Sequence, residues 1–104
     1  MSKIIKGDTV IVISGKDKGK IGNVLKVHHM KTSCKVVVSG VNVRVKHQKA
    51  RMGSPGSLKK IESPIDISNV AMYCKQVDGP SKVYYTSSDG EKVRKYRKTN
   101  EVIG

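Results

Sequence analysis

Three lysines and two glycines lie within one six-residue segment, and this arrangement is suited to binding a phosphate group. The segment reads Gly15-Lys16-Asp17-Lys18-Gly19-Lys20. Glycines adopt positive φ readily and leave backbone N–H groups uncovered, so a phosphate can approach them closely between the lysine side chains. The intervening aspartate is most simply a turn residue that hydrogen-bonds to its own backbone. The segment is therefore either a phosphate-binding loop or an ordinary solvated loop whose lysines keep it soluble.

A second group of basic residues occupies the middle of the chain. From Val41 to Lys46 the sequence alternates with period two, which predicts a strand with its three valines facing inward and its polar residues facing outward. The outward residues are Asn42, Arg44 and Lys46. Residues 47–60 contain Gly, Ser and Pro and few strand-forming residues, which predicts a long loop or a protruding, irregular hairpin. We expect this segment to become ordered against a phosphate backbone. Its basic side chains are Lys49, Arg51, Lys59 and Lys60.

A third group of basic residues lies close to the C-terminus, where five of them surround Tyr96. These five are Lys92, Arg94, Lys95, Arg97 and Lys98. A tyrosine in this setting can stack on an unpaired base while its neighbours bind phosphates. It can equally belong to a frayed strand and pack on the protein core, and the sequence leaves both interpretations open.

The net charge of the chain favours a polyanionic partner. The 104 residues include 21 Lys and Arg against 8 Asp and Glu, for a formal charge of +13. Residues 1–60 hold 14 basic and 2 acidic side chains, and residues 92–104 hold 5 basic and 1 acidic. Nucleic acid is the polyanion that usually neutralises such a chain. An acidic membrane surface is the main competitor. Separately, the chain has no apolar run of membrane-spanning length.

Catalytic and metal-binding functions find little support in the sequence. The two cysteines, Cys34 and Cys74, are forty positions apart and form no C-x-x-C motif, which favours free thiols in a reducing compartment over a zinc site. A histidine could in principle activate either thiol, but no acid–base pair stands in a recognisable motif. We therefore expect no enzyme activity, no metal and no cofactor.

The elements that position these residues are predicted to be strands. Two runs, Thr9 to Ser14 and Ile21 to Val27, flank the glycine-bounded segment and predict a hairpin. Cys34 to Val38 predicts a third strand, and the Asp89-Gly90 pair predicts a hairpin turn between two strands near the C-terminus. The chain has no Phe and no Trp, so the core must be aliphatic. The sequence predicts an all-β fold, with a small bent barrel followed by a second β-unit.

The length and the N-terminal sequence indicate the number of domains and the compartment of the protein. One domain is the natural count for 104 residues. The N-terminal residues MSKIIKGD lack the apolar core of a signal peptide and the appearance of a transit peptide, which predicts a soluble intracellular protein.

Four blocks of the sequence resemble a known family, in the same order along the chain. The first, GDTVIVISGKDKGKIGNVLKV, resembles the KOW motif, in which apolar residues alternate around a glycine between two strands of an SH3-like barrel. The other blocks are VSGVNVRVKHQK, ESPIDISNV and DGEKVRK…NEVI. Together they are similar to the family of bacterial-type large-subunit ribosomal protein twenty-four over nearly the whole chain. A lone KOW motif is shared with transcription factors, whereas four collinear blocks are far more specific.

The resemblance implies one domain with three parts. These are an SH3-like (KOW) barrel core at about 4–49, a protruding loop at about 47–60, and a C-terminal β-unit with a basic tail at about 61–104. It also implies a structural constituent of the large ribosomal subunit, in the cytoplasm or in an organelle. Such a protein binds 23S-type rRNA near its 5′ region, nucleates subunit assembly and lies near the peptide exit tunnel beside neighbouring large-subunit proteins. No membrane or small-molecule substrate is implied.

The resemblance also carries binding residues onto this chain. Gly15, Lys16, Lys18, Gly19 and Lys20 fall on the conserved hairpin of the family, and Asn42, Lys46, His47 and Lys49 fall on its basic strand end. The alternative is a KOW-type transcription or RNA-processing factor. Those proteins usually join the barrel to another domain, whereas here we expect the barrel to start at the N-terminus and no second globular domain to follow.

Overall fold

The computed structural model describes residues 4–48, 50, 52–53 and 56–103. These residues form eleven strands and one 3₁₀ turn, η1 (Ile67–Asn69), and they contain no α-helix. The all-β prediction is therefore confirmed. The strands are β1 (Thr9–Val12), β2 (Ile21–His29), β3 (Cys34–Val38), β4 (Val43–Gln48), β5 (Ser57–Glu62), β6 (Ile65–Asp66), β7 (Val70–Cys74), β8 (Gly79–Ser81), β9 (Val83–Ser88), β10 (Glu91–Tyr96) and β11 (Val102–Ile103).

Six strands form an antiparallel sheet in the order β6-β3-β2-β1-β7-β8. Only the three residues of η1 separate β6, at one edge, from β7 on the far side of β1. In a flat sheet these two strands would lie about 19 Å apart, at roughly 4.8 Å per strand. A three-residue 3₁₀ turn advances only about 6 Å. The sheet therefore has to curl towards closure, which is the barrel that the sequence predicted.

The interior of this curled sheet is filled by valine. In β1 the burial alternates, with Val10 and Val12 buried, because successive side chains of a strand point to opposite faces. Val24, Val36 and Val38, from β2 and β3, belong to the same cluster. The prediction of an aliphatic core is confirmed.

A close approach inside the barrel depends on Gly22 of β2. A Cβ atom built at this position would lie 2.4 Å from the carbonyl oxygen of Ser39. No side-chain carbon tolerates that distance, so the absence of a side chain lets the chain after β3 cross directly over β2. A register shift between Val24 and Lys26 adds local curvature to the same strand.

The three C-terminal strands form a second sheet in the order β11-β10-β9. Asp89 and Gly90, both with positive φ, make the turn between β9 and β10 as predicted. One face of this sheet packs on the barrel, because Val83 belongs to the buried core and Tyr96 and Ile103 pack against it. The chain after β10 turns back, and β11 pairs with β10. The basic residues near the C-terminus therefore belong to the central strand of this sheet and to the turn that follows it.

Strands β4 and β5 form a two-stranded hairpin of their own. The molecule extends over 59 Å along its longest axis and 28 Å along the next. Of the two alternatives for residues 47–60, a long loop or a protruding hairpin, the structure supports the hairpin, because residues 47–48 and 57–60 belong to its two strands. Of the three valines expected to face the core, only Val41 does so. It is 1% exposed and precedes β4. Val43 and Val45 are 40% and 54% exposed, because among the described strands β4 pairs with β5 alone, in a sheet separate from the other two.

The barrel does not have the boundaries expected from the sequence. Residues 43–48 lie outside its sheet, while β6, β7 and β8 pair within it. The separate C-terminal unit accordingly starts at Val83 rather than near residue 61. Among the described residues, no helix has the length and apolar character that crossing a membrane demands.

Candidate nucleic-acid interface

The loop between β1 and β2 is held by backbone hydrogen bonds at both ends. The N–H of Gly19 donates to the carbonyl of Val12 at 2.8 Å, and the N–H of Val12 donates to the carbonyl of Lys20 at 2.9 Å. The N–H of Ile13 donates to the carbonyl of Asn69 at 2.9 Å, which ties the loop to η1. Gly15 and Gly19 adopt φ of +93° and +94°, as expected of glycines in a tight loop. The loop is thus a defined structure.

Asp17 joins this loop to the start of the β4–β5 hairpin. One carboxylate oxygen accepts a hydrogen bond from the backbone N–H of Asn42 at 2.8 Å, and the other lies 2.9 Å from Nζ of Lys20. The hydrogen bond from Lys20, with that from the Asn42 N–H, lowers the pKa of Asp17 below its ordinary value of 3.8. The expectation that Asp17 serves its own turn is therefore incomplete, because its side chain bridges 25 residues.

The lysine side chains and several backbone N–H groups of the loop are open to solvent. Lys16 and Lys18 are exposed, and Lys20 is 57% exposed while paired with Asp17. Among the described residues, the backbone N–H groups of Gly15, Lys16 and Asp17 donate to no partner. A shallow pocket of about 160 Å³ lies beside them. Three consecutive free N–H donors next to exposed ammonium groups are suited to binding phosphate oxygens.

Asn42 has a structural role rather than the outward position predicted for it. Its φ is +53°, a conformation that asparagine tolerates better than most residues, and it precedes β4 instead of belonging to it. Its side-chain Nδ2 donates to the carbonyls of Ser63 and Pro64 at 3.4 and 3.3 Å. These bonds, with the one to Asp17, occupy Asn42 at the junction between the loop and the hairpin.

The hairpin has one face with three cations. Cross-strand partners share a face, and the register pairs Lys46 with Lys59 and Arg44 with Ile61. Arg44, Lys46 and Lys59 are all exposed. Like charges directly opposite each other destabilise a strand pair, so this cationic face favours an anionic partner. His47 pairs with Leu58 and therefore lies on the opposite face, with Val43 and Val45.

Two of the predicted binding residues, Lys49 and Arg51, lie outside the described residues. They follow β4 in the connection towards β5. Lys59, in contrast, was expected only as a loop cation, and its place opposite Lys46 was missed. The signal for it is weak in the sequence, because the register of a hairpin with a long connection cannot be counted from residue spacing alone.

The C-terminal basic group divides between buried and exposed positions. Arg94 is 8% exposed, and its guanidinium donates two hydrogen bonds to the buried carboxylate of Asp8, which contradicts its predicted phosphate-binding role. Tyr96 packs against the core, and burial raises its pKa above 10.0. Of the alternatives for this tyrosine, the structure supports packing. Lys95 is partly exposed, and Arg97 and Lys98 are exposed.

The structure brings together one cysteine–histidine pair. Cys34 Sγ and His29 Nδ1 are 3.8 Å apart at the exposed end of β2 and β3, while Cys74 is buried. Among the described residues, no three His, Cys, Asp or Glu side chains come close enough to hold a metal ion.

Comparison with known proteins gives family matches over two parts of the chain. Residues 6–39 match the KOW motif, and residues 41–103 match the family described as "Large ribosomal subunit protein uL24, C-terminal domain". A relative in Finegoldia magna, named large ribosomal subunit protein uL24, is 52% identical over 97% of this chain and 98% of its own. A relative of the same name in Wolbachia pipientis wMel is 48% identical over 98% of this chain and 97% of its own. The Arabidopsis thaliana protein named uL24c is 48% identical over 93% of this chain and 49% of its own.

Proposed function

The chain belongs to the large ribosomal subunit protein uL24 family, and from this premise we propose that it binds large-subunit rRNA directly through two surfaces. Family membership makes it a structural constituent of the large ribosomal subunit. The first surface is the phosphate loop, which we define as Ser14–Lys20. The second is the cationic face of the β4–β5 hairpin, which we define as Arg44, Lys46 and Lys59.

The phosphate loop supports this proposal most strongly. Asp17 fixes its shape through Asn42 and Lys20, so little conformational entropy is lost when an anion binds. The free N–H groups of Gly15, Lys16 and Asp17 and the exposed side chains of Lys16 and Lys18 then act on the same phosphate oxygens. Because these groups recognise a phosphate rather than a base, we infer that this surface reads the shape and backbone of the RNA.

The cationic face extends the interface along the hairpin. Asn42 is hydrogen-bonded to Asp17 in the phosphate loop and is followed directly by β4, so the two surfaces are physically joined. The Lys46–Lys59 pair costs the free hairpin some stability, and a phosphate placed over the pair removes that repulsion. The projecting hairpin lets one protein reach RNA segments well separated from the phosphate loop.

From the family resemblance we further propose a position on the large subunit. The protein binds near the 5′ region of the large rRNA, nucleates assembly there and lies near the peptide exit tunnel among neighbouring large-subunit proteins. The alternative of a KOW-type transcription or RNA-processing factor has lost its basis, since the match outside the KOW segment, over residues 41–103, is to a ribosomal family.

Footprinting of the full chain on large-subunit rRNA tests the proposal. We expect protection near the 5′ region, and the charge-reversal variant Lys16→Glu/Lys18→Glu should weaken it. The matched control is Lys31→Glu/Lys75→Glu, which makes the same change in net charge at two exposed lysines that belong to neither surface. Loss in both variants would indicate a non-specific charge effect. Protection that survives the Lys16/Lys18 change would remove the phosphate loop from the interface.

A further inference from the structure

The outer face of the C-terminal sheet carries a tyrosine that no part of the proposed interface uses. In the register of the sheet, Tyr84 lies opposite Lys95, and Lys95 lies opposite Val102. These three side chains therefore form one row across β9, β10 and β11. On the other face, Val83 and Arg94 are buried against the barrel. The row faces away from the barrel, where Tyr84 and Lys95 are partly exposed and Val102 is 59% exposed.

The ring of Tyr84 is held in place by two neighbours. Its hydroxyl donates a hydrogen bond to Oδ1 of Asn100 at 2.7 Å. The guanidinium carbon of Arg97 lies 5.5 Å from the ring centroid, within cation–π range. An aromatic ring fixed at its edge and joined to a planar guanidinium presents a preorganised stacking surface, so little side-chain entropy is lost on binding.

Cations collect at the same end of the sheet. The N–H of Arg97 donates to the carbonyl of Lys82 at 2.8 Å, and the N–H of Lys98 donates to Oγ of Ser81 at 3.4 Å. These bonds bring Lys82, Arg97 and Lys98, whose side chains are exposed, next to one another at the end of the sheet that carries Tyr84. Two acidic residues also belong to this part of the chain. The carboxylate of Glu101 accepts a hydrogen bond from Gln76. Glu91, at the other end of β10 from Lys95, is about 14 Å away along the strand.

The other three tyrosines of the chain do not present such a surface. Tyr96 packs against the core, and Tyr85 lies beneath the ammonium of Lys92 on the face that carries Arg94. Tyr73, in the barrel sheet, donates its hydroxyl to Asp78. Tyr84 alone combines a place on the outer face with an arginine over the ring and lysines on either side.

We propose that Tyr84 and Arg97 form a stacking site for an unpaired RNA base, with Lys82, Lys95 and Lys98 binding the phosphates on either side of that nucleotide. This deepens the proposed rRNA-binding function and rests on it. Aromatic rings and Arg guanidinium planes are the groups on which splayed-out bases stack. The positive charge around the ring favours a nucleotide over an apolar protein surface. We thus assign to Tyr84 the base-stacking role that the sequence suggested for Tyr96.

A single-tryptophan reporter tests the stacking site in the full chain. The protein contains no Trp, so a Tyr84→Trp variant has only one indole signal. On titration with a transcript of the 5′ region of large-subunit rRNA, we expect strong quenching of this emission at the RNA concentration where anisotropy of labelled RNA reports binding. The matched control is Tyr85→Trp, one residue away on the opposite face of β9, whose emission should change little.

Affinity measurements separate stacking from charge. Tyr84→Phe keeps the ring and loses only its hydrogen bond to Asn100, so it should bind RNA only slightly more weakly than the unsubstituted chain, whereas Tyr84→Leu should bind about ten-fold more weakly. Indole emission of the Tyr84→Trp variant that stays unchanged while anisotropy reports bound RNA would overturn the stacking site and leave the proposed function standing. So would quenching that appears only when neighbouring ribosomal proteins are added. Absence of any RNA binding by the unsubstituted chain would instead contradict the proposed function.

Discussion

The guanidinium of Arg94 and the carboxylate of Asp8 meet in the interior, 86 residues apart in the chain. Two hydrogen bonds, of 2.5 and 2.9 Å, join them, and the two side chains are 8% and 9% exposed. The same carboxylate accepts a hydrogen bond from the N–H of Ile5 at 2.8 Å. One buried ion pair thus ties the N-terminal turn of the barrel to the central strand of the C-terminal sheet.

Removing one partner of this pair should destabilise the fold strongly, because a buried charge is then left without its counter-charge. We expect Asp8→Ala and Arg94→Ala each to lower the free energy of unfolding by about 3–5 kcal/mol. The double variant should cost clearly less than the sum of the two, as measured by urea unfolding followed by circular dichroism. Lys92→Ala, at an exposed position of the same strand, is the control. Additive losses would contradict a direct coupling of Asp8 and Arg94.

A methyl group at Gly22 should disturb the barrel, since its Cβ would meet the carbonyl oxygen of Ser39 at 2.4 Å and the backbone must shift. We expect Gly22→Ala to lower the free energy of unfolding by about 1–3 kcal/mol, as overpacking usually does. Gly79→Ala is the matched control, because a Cβ there has nothing closer than a carbonyl oxygen at 3.8 Å. Equal stability of the two variants in thermal unfolding would show that the crossing at Ser39 relaxes freely.

The carboxyl of Asp17 should titrate below its ordinary pKa of 3.8, because Lys20 and the N–H of Asn42 favour the ionised form. The pKa is lower in the folded state than in the unfolded one. The stability that Asp17 contributes is therefore present above pH 3.8 and is lost as the pH falls through the lowered folded value. An NMR titration of the side-chain carboxyl measures this, and Lys20→Met should move the pKa of Asp17 back towards 3.8. An unchanged pKa in that variant would contradict the Asp17–Lys20 contact.

Charge reversal at Lys59 should separate stability from RNA binding. In Lys59→Glu the new carboxylate faces Lys46, which replaces a repulsion by an attraction and should stabilise the hairpin by about 0.2–1 kcal/mol. RNA affinity should fall at the same time, and its salt dependence should become weaker, because fewer phosphates are neutralised. Lys60→Glu, one residue on and on the opposite face, is the control. Equal losses of affinity in the two variants would argue against a distinct cationic face.

Much of the fold could be predicted because the information is local. The β-branched run of β1, the glycines of the phosphate loop and the Asp89-Gly90 turn each restrict their own backbone, and the structure has these elements where they were expected. Alternation along Val41–Lys46 indicated a strand correctly, although β4 begins only at Val43. The alternation could not say whether a second layer covers the strand, and Val43 and Val45 are exposed because no other described strand packs on them.

By itself, the sequence determined that this protein is a basic, valine-cored β protein with a lysine-rich glycine loop, since charge, side-chain branching and turn propensity are properties of residues and their immediate neighbours. Only the tertiary structure decided which cations remain available. Arg94 is buried against Asp8, while Lys59 is brought opposite Lys46. Tyr96 is packed on the core, and Tyr84 is placed beside Arg97. These outcomes depend on strand register and on contacts between distant segments. A shift of one residue in the register of a strand would exchange its buried and exposed faces.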